Sequence, residues 1–184
     1  MIITVASRRK QQKTLDKAYP DATIIDVTSK GEQPWVKFSP FYPVGGIPVP
    51  FSDGVTAQSV EGIWQGLKVF EEHDIDRTKL EITTMRGLKR TVRKFGPVKG
   101  HLKGLTGEEI LGYREARYTI YLPAYRWVLQ NRLSAEIAQL RAIADDSQLV
   151  LLDYETNTDV DNLSKPLSHA GLIKHYLEGQ WPTA

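Results

Sequence analysis

The chain has 184 residues, with 24 Lys or Arg against 22 Asp or Glu, a net charge of +2 and no cysteine. The lack of cysteine excludes disulfides, cysteine nucleophiles and thiolate metal sites. No run approaches the roughly 18 apolar residues that a membrane span requires, so no membrane partner is expected. The N-terminal apolar block is too short for a signal peptide, which together with the missing cysteines favours a cytoplasmic protein.

The N-terminal segment predicts a strand, a helix and a second strand. Ile2–Ala6 and Ala22–Val27 are β-rich and apolar enough to form buried strands. Lys10–Tyr19, between them, suits one short helix with Leu15 and Ala18 facing inward. If the two strands form a parallel pair, the connection between them is right-handed.

An aromatic loop rich in Pro and Gly, residues 38–53, leads into a predicted helix. Such loops build pocket walls, because Pro and Gly fix unusual backbone paths and aromatic rings supply flat surfaces. Ser59 is a suitable N-cap, and the helix is expected to run to about His73. The residues expected to face the core are Val60, Ile63, Leu67 and Phe70. The opposite stripe carries Glu61, Gln65 and Lys68, with Trp64 between the two faces.

The remaining pattern is largely helical, and it predicts an α+β fold, a mostly helical single domain with a small sheet. Residues 1–34 are expected to pack on a helical domain of residues 35–184. Thr106 opens a predicted helix that Pro123 kinks or ends. The later predicted elements are a helix over Ala124–Ala144, a strand over Leu149–Leu152 and a last helix from Pro166 to Gly179.

Glu61 and Lys68 are the first candidates for chemistry. A carboxylate that is shielded from water beside aromatic rings has a raised pKa and can act as a general acid or base. The alternative is a solvated Glu that favours the helix dipole in the first turn. Lys68 lies two turns on, where it could hold a phosphate or carboxylate of a ligand or simply lie on the surface.

Acidic residues follow the apolar run that ends at Leu152. Asp153 and Glu155 stand where side chains line clefts in α/β proteins, although an Asp there is also a common turn residue. Asp159 and Asp161 follow in the same loop. Four acids suggest a hydrated Mg²⁺ only weakly, because calcium-loop spacing is absent. We therefore predict neither a metal nor a cofactor.

A basic run without any acid lies between Arg86 and Lys103. Its members are Arg86, Lys89, Arg90, Arg93, Lys94, Lys99, His101 and Lys103. Arg, Lys and glycine amides suit phosphate groups, but a solvated basic surface fits equally well. Because Phe95 is the only aromatic residue in the run, nucleic acid is not favoured as a partner.

Ser168 and His169 precede the last predicted helix, where His169 could donate to a ligand phosphate. Adjacent Ser and His residues do not make a hydrolase triad, and the chain has no Gly-x-Ser-x-Gly elbow. It also lacks the phosphate loop, the dinucleotide Gly-x-Gly-x-x-Gly and His-Glu-x-x-His. These absences argue against the common nucleotide hydrolases, Rossmann dehydrogenases and zincins.

Several of these segments, in this order, resemble the NADAR superfamily. The matching opening is Phe41-Tyr42-Pro43, then Ser59-Val60-Glu61, then Gln65 and Lys68-Val69-Phe70. Lys94-Phe95-Gly96 is similar to the basic-Gly step of the family, and Glu115 to Leu133 resembles its long helix, with Arg117 at the matching arginine. Leu149–Asp153 and Pro166–Leu177 resemble its closing segments. Gly62 stands where the family has a His.

The resemblance implies a mostly helical α+β fold and cleavage of an N-glycosidic bond in a ribosylated, nucleotide-like or ADP-ribosyl substrate. Carried over, Glu61 acts in acid/base chemistry and Asp153 activates water or stabilises the oxocarbenium charge. The residues expected to bind substrate are Tyr42, Gly46, Trp64, Gln65, Lys68, Arg93, His101, Tyr113, Arg117, Ser168 and His169. The alternatives are an inactive nucleotide- or ADP-ribose-binding module and a protein of nucleic-acid modification. The sequence leaves the oligomeric state open.

Overall fold

A computed structural model describes all residues, Met1–Ala184. Its helices are α1 (Gln12–Ala18), α2 (Val60–Gly66), α3 (Val92–Phe95), α4 (Tyr113–Ala116), α5 (Leu122–Asn131), α6 (Ser134–Asp146) and α7 (His169–Leu177). Its strands are β1 (Ile3–Ser7), β2 (Thr23–Asp26), β3 (Ile47–Pro48), β4 (Thr56–Ala57), β5 (Lys68–Phe70), β6 (Val98–Leu102), β7 (Ile110–Leu111) and β8 (Leu149–Asp153). The fold is α+β, as the sequence predicts.

The chain forms two compact units. The first unit comprises Met1–Ser39 and Leu133–Thr183, and the second comprises Pro40–Arg132 together with Ala184. The N-terminal strands and helix therefore share a unit with the last third of the chain. No helix of either unit is long and apolar enough to cross a membrane.

The first unit is built on a parallel sheet with the strand order β1-β8-β2. All five residues of β8 are buried, and Ser7 of β1 is level with Asp153 of β8. The three predicted strands are confirmed, but β1 and β2 do not pair, because the more apolar β8 lies between them and buries both faces. Leu15 of α1 packs against the sheet, whereas Ala18 is exposed, contrary to the prediction.

The second unit contains the antiparallel sheet β5-β6-β7 and the short pair β3-β4. The helix predicted from Ser59 to His73 ends at Gly66, and Lys68–Phe70 is a strand instead. The carbonyl of Gly66 accepts a hydrogen bond from the Asp76 N–H, 2.8 Å away, and β5 then pairs with β6. Pairing with a distant strand thus overrides the local helical period.

Other predicted helix boundaries also differ from the structure. The residues after Thr106 form β7, which pairs with β6, and the helix begins only at Tyr113. A π-helical turn over Arg117–Tyr121 interrupts the helix just before Pro123, and Pro123 occupies the first turn of α5, where no N–H is needed. The segment Ala124–Ala144 forms two helices that are broken at Arg132, and α7 starts after Ser168 rather than at Pro166.

Candidate functional site

The N-terminus of α2 positions the first candidate carboxyl group. Ser59 caps the helix, since its Oγ accepts from the Gly62 N–H at 3.0 Å, as predicted. A Cβ on Gly62 would lie 2.6 Å from the carbonyl oxygen of Lys79. The backbone therefore excludes a histidine at this position and brings α2 close to the next segment. Glu61, in the first turn, is buried rather than solvated.

Three polar side chains of this region form one hydrogen-bonded chain. The Gln65 amide Nε2 donates to Glu61 Oε1 at 2.8 Å, and Lys68 Nζ donates to Gln65 Oε1 at 3.0 Å. Gln65 Oε1 also accepts from the backbone N–H of Arg90 at 2.9 Å. The polar stripe predicted for this helix is therefore an internal network. Glu61 and Gln65 are both buried, which agrees with the shielded alternative for Glu61 and not with the solvated one.

Burial sets the protonation of this network. It raises the pKa of Glu61 above its ordinary value, although the Gln65 amide and the charges of Lys68 and Lys89 act in the opposite direction. Burial also lowers the pKa of Lys68, against the attraction of Glu61. A carboxyl group that holds its proton more tightly beside an amine that holds its proton less tightly suits general acid–base chemistry.

His101 adds a buried imidazole to the same group. His101 lies on β6, opposite Lys68 on β5. The centroids of the His101 and Trp64 rings are 3.7 Å apart. Burial, followed by the charge of Lys68, lowers the pKa of His101 to about 3, so the ring is neutral at pH 7. Neither ring nitrogen has a hydrogen-bond partner at normal geometry, and the Trp64 backbone only partly opposes the lowering of the pKa. We call Glu61, Trp64, Gln65, Lys68 and His101 the Glu61 cluster.

An aromatic and cationic stripe lies beside the Glu61 cluster. Trp64 contacts Tyr113 and Tyr121, with ring centroids 6.1 and 5.5 Å apart. Arg117 is buried, lies 4.4 Å from the centroid of the Tyr113 ring and donates to the Tyr113 hydroxyl at 2.9 Å. Tyr121 was not predicted, although its spacing of four residues from Arg117 and eight from Tyr113 along a helix indicates a shared face.

Arg90, predicted only as a member of the basic run, anchors the end of α2. Its guanidinium donates to the carbonyls of Gln65, Lys68 and Asp74 at 3.3, 2.6 and 2.6 Å. It also lies 4.9 and 5.1 Å from the ring centroids of Phe70 and Phe95. The buried Leu88, two residues earlier, gives an alternation that indicates an inward-facing Arg90.

The other predicted binding residues of the second unit lie in different settings. Tyr42 is half-buried in the aromatic loop, and Arg93 is exposed on α3. Gly46 has a φ of 66°, and a Cβ there would lie 2.6 Å from the Arg132 guanidinium. The structure therefore gives Gly46 a local packing role beside Arg132.

The second candidate carboxyl group belongs to the first unit. Asp153 Oδ2 accepts from Ser168 Oγ at 2.7 Å, from the Ala170 N–H at 3.3 Å and from His169 Nδ1 at 3.0 Å. Its Oδ1 accepts from the Tyr154 N–H at 2.7 Å. Ser168 and His169 thus share one carboxylate oxygen, which is not the arrangement of a Ser-His-Asp triad. We call Asp153, Ser168 and His169 the Asp153 cluster.

The Asp153 cluster holds a buried ion pair. His169 Nε2 lies 2.8 Å from the Val27 carbonyl oxygen, which can only accept, so this nitrogen carries a hydrogen. His169 Nδ1 faces the Asp153 carboxylate, and this charge, against the effect of burial, raises the pKa of His169. His169 and Ser168 in turn outweigh burial and lower the pKa of Asp153. His169 is therefore an imidazolium that joins Asp153 to the end of β2.

The second unit has a surface cavity that is lined by none of the predicted site residues. It has a volume of about 400 Å³ and is lined by Phe51, Ser52, Asp53, Val55, Arg77, Leu105 and Thr106. No group of three or more His, Asp or Glu side chains is arranged to hold a metal ion.

The comparisons with known proteins give a family but no activity. Residues 7–173 match the family of unknown function DUF6939. No curated protein and no solved structure matches the chain. Because the matched residues span most of both units, the chain belongs to the family of unknown function DUF6939.

Proposed function

We propose that this chain is an N-glycosidase that hydrolyses the bond between a ribose and a base in a nucleotide-like or ADP-ribosyl substrate. The observation that carries the proposal is the buried carboxyl group of Glu61, whose pKa is raised by burial and which is linked through Gln65 to Lys68. The resemblance of the surrounding residues to the NADAR superfamily supports the same reaction class.

The chemistry follows from the charge that develops on the ribose. Glu61 gives its proton to the departing base nitrogen while the bond from that nitrogen to C1′ breaks, and the bonding electrons leave with the base. Water then adds to the positive C1′ and returns a proton to the Glu61 carboxylate. The Glu61 carboxylate that remains after proton transfer stabilises the positive charge on C1′, as carboxylates do in other glycoside hydrolases.

The surroundings of Glu61 favour a flat, anionic substrate. Trp64 is half-buried and Tyr113 is 42 % exposed, so their rings could stack on a base. Lys68 and Arg117 place positive charge beside these rings, which suits a phosphate group. The predicted role of Asp153 in activating water remains a prediction, and its four hydrogen-bond donors favour an anchoring role instead.

The test is release of ADP-ribose from a panel of ADP-ribosylated nucleosides, measured by chromatography. Glu61→Gln should lower the release rate by about 100- to 10,000-fold, because the amide cannot supply a proton. Glu71→Gln, at an exposed position of the same unit, is the matched control and should leave the rate unchanged. Equal rates for wild type and Glu61→Gln would refute the proposal. Stabilisation by ADP-ribose without any release would instead identify a binding module.

A second candidate, binding to single-stranded nucleic acid, is favoured by one observation. Residues 82–107 of the second unit contain no acid, and five of their cations are exposed: Arg86, Lys89, Arg93, Lys94 and Lys99. The charge of Lys89 acts on both Glu61 and Lys68, so the basic segment borders the Glu61 cluster. Five phosphate contacts would give a slope of about −3.5 for log K against log salt concentration.

Anisotropy of a fluorescent oligonucleotide across salt concentrations tests this candidate. Replacing Arg93, Lys94 and Lys99 together by Gln should weaken binding and flatten the slope by about 2, because three phosphate contacts are removed. The control replaces the exposed Lys10, Lys13 and Lys17, which removes the same charge from the first unit. Equal losses in both variants would mean non-specific attraction and would exclude this surface.

A further inference from the structure

We propose that Gln65 is a positioning residue that fixes the Glu61 carboxyl group so that Oε2 is the oxygen that delivers the proton. This inference rests on the proposed glycosidase reaction, but it can be tested separately from it. Three contacts of the Gln65 amide carry the argument, and each of them has only one chemically allowed direction.

The orientation of the Gln65 amide is determined by its neighbours. The backbone N–H of Arg90 is a donor only and lies 2.9 Å from Oε1, so that atom must be the amide oxygen. The Lys68 ammonium, also a donor only, lies 3.0 Å from the same atom. The other amide position is therefore the NH₂ group, and it faces Glu61.

This orientation distinguishes the two oxygens of Glu61. Gln65 Nε2 can only donate, so Glu61 Oε1, 2.8 Å away, must accept. The carbonyl oxygen of a protonated carboxyl group is a better acceptor than its hydroxyl oxygen, so the proton resides on Oε2. Oε2 is thereby the oxygen that donates to the departing base, and Oε1 is held by the protein.

Gln65 also separates Glu61 from Lys68. Lys68 donates to the Gln65 oxygen, and the link from the ammonium group to the carboxyl group passes through one neutral amide. A direct contact of an ammonium with a carboxyl group favours the ionised carboxylate, which would be a poor acid. The amide keeps the cation close enough to hold substrate phosphate while the acid retains its proton.

The amide is itself held rigidly, as a positioning group must be. Arg90 donates to the carbonyls of Gln65 and Lys68, which locks the end of α2 and the start of β5. Gln65 is buried, so its side chain cannot rotate freely into water. A group that is supported on both sides in this way can hold a carboxyl group in one orientation.

The decisive variant is Gln65→Glu, which keeps the size of the side chain. One oxygen of the new Glu accepts from Arg90 and Lys68 as before, but the other oxygen now meets Glu61 Oε1. Two carboxyl groups at hydrogen-bond distance cannot both ionise, so they share a proton. Because Glu61 must hold its proton to act as the acid, the alkaline limb of the pH profile of kcat, where Glu61 deprotonates, should therefore move up by about 1 to 2 pH units, while KM stays close to that of the wild type.

A measurement without substrate keeps the inference independent of the reaction. The ¹³C resonance of the Glu61 carboxyl carbon, assigned by its loss in Glu61→Gln, is followed against pH. In Gln65→Glu this resonance should titrate at higher pH than in the wild type. Gln130→Glu adds the same charge at an exposed site on α5 and should leave the resonance unchanged. Equal titration of Glu61 in Gln65→Glu and Gln130→Glu would overturn the inference.

The two proposals fail in different ways. If Gln65→Glu shifts the carboxyl titration but no substrate is cleaved, the positioning by Gln65 holds and the glycosidase proposal fails. If release depends on Glu61 but neither the pH profile nor the resonance moves in Gln65→Glu, the glycosidase proposal holds and Gln65 has only a structural role. Thermal unfolding of Gln65→Glu confirms that the compared proteins are folded.

Discussion

Each unit buries a carboxyl group beside the serine cap of a helix, and the surroundings shift the pKa values of these two groups in opposite directions. Glu61 follows the cap Ser59 of α2, and Asp153 contacts the cap Ser168 of α7. Both caps are buried, and each accepts from a glycine N–H three residues on. Burial raises the pKa of Glu61, whereas the pKa of Asp153 is lowered by its contacts despite burial.

The difference lies in the donors that each carboxyl group receives. Glu61 receives one neutral amide hydrogen bond, which does not repay the loss of water. Asp153 receives a hydroxyl, two backbone N–H groups and an imidazolium. Burial alone therefore does not identify a reactive acid, because the surrounding donors decide whether burial favours the neutral or the ionised form.

The largest effect that tests this comparison is on stability. Asp153→Asn should lower the free energy of unfolding by about 3–5 kcal/mol, because it leaves the His169 imidazolium buried without a counter-charge. Glu61→Gln should leave the stability at pH 7 unchanged or raised, because the neutral amide avoids the cost of burying a charge. Urea unfolding of both variants measures the contrast.

The exposed Asp145→Asn on α6 is the control for loss of one acidic charge in the first unit. It should change the free energy of unfolding by no more than about 0.5 kcal/mol. If Asp153→Asn resembled this control, the ion pair would have no anchoring role. Asp153 would then become the better candidate for chemistry.

Local patterns predicted the parts of the fold that depend on neighbouring residues. The cap at Ser59 and the strand predicted over Leu149–Leu152, which the structure extends to Asp153, could be read directly, because capping and apolar runs are local signals. The end of α2 at Gly66 could not be predicted from local signals, because it depends on the pairing of β5 with β6. The inward position of the Gln65 side chain could not be predicted either, because its partner Arg90 is 25 residues away in the sequence.

A comparison of the two helix caps gives the next largest effect. Ser59→Ala should cost about 1 kcal/mol, the usual value for losing an N-cap. Ser168→Ala should cost about 1.5–3 kcal/mol more, because the Ser168 hydroxyl also donates to the ionised Asp153. The two variants remove the same atom from buried caps of matched geometry, so their difference in unfolding free energy measures that second bond. Equal costs would show that the hydroxyl contributes nothing to holding Asp153.

The smallest effect is the dependence of the unfolding free energy on pH. His169, Asp153 and Glu61 each contribute to it in a different pH range. The pKa of His169 is raised in the folded protein, so its contribution is complete below the ordinary value of 6.5 and is lost as the pH rises through the folded pKa. The pKa of Asp153 is lowered, so its contribution is present above 3.8 and is lost as the pH falls through its folded pKa. The pKa of Glu61 is raised, so its contribution is present below 4.5 and declines as the pH rises through its folded pKa.

The wild type should therefore lose stability from mildly acidic to alkaline pH, by about 1.4 kcal/mol for each unit by which a folded pKa is raised. His169→Gln should remove the part of this slope above pH 6.5, and Glu61→Gln should remove the part that begins near pH 4.5. Urea unfolding at a series of pH values measures both slopes. If the slope of the unfolding free energy against pH stayed unchanged above pH 6.5 in His169→Gln, the imidazole would not be charged between Asp153 and Val27. The proposed reason for the opposite pKa shifts of Glu61 and Asp153 would then be wrong.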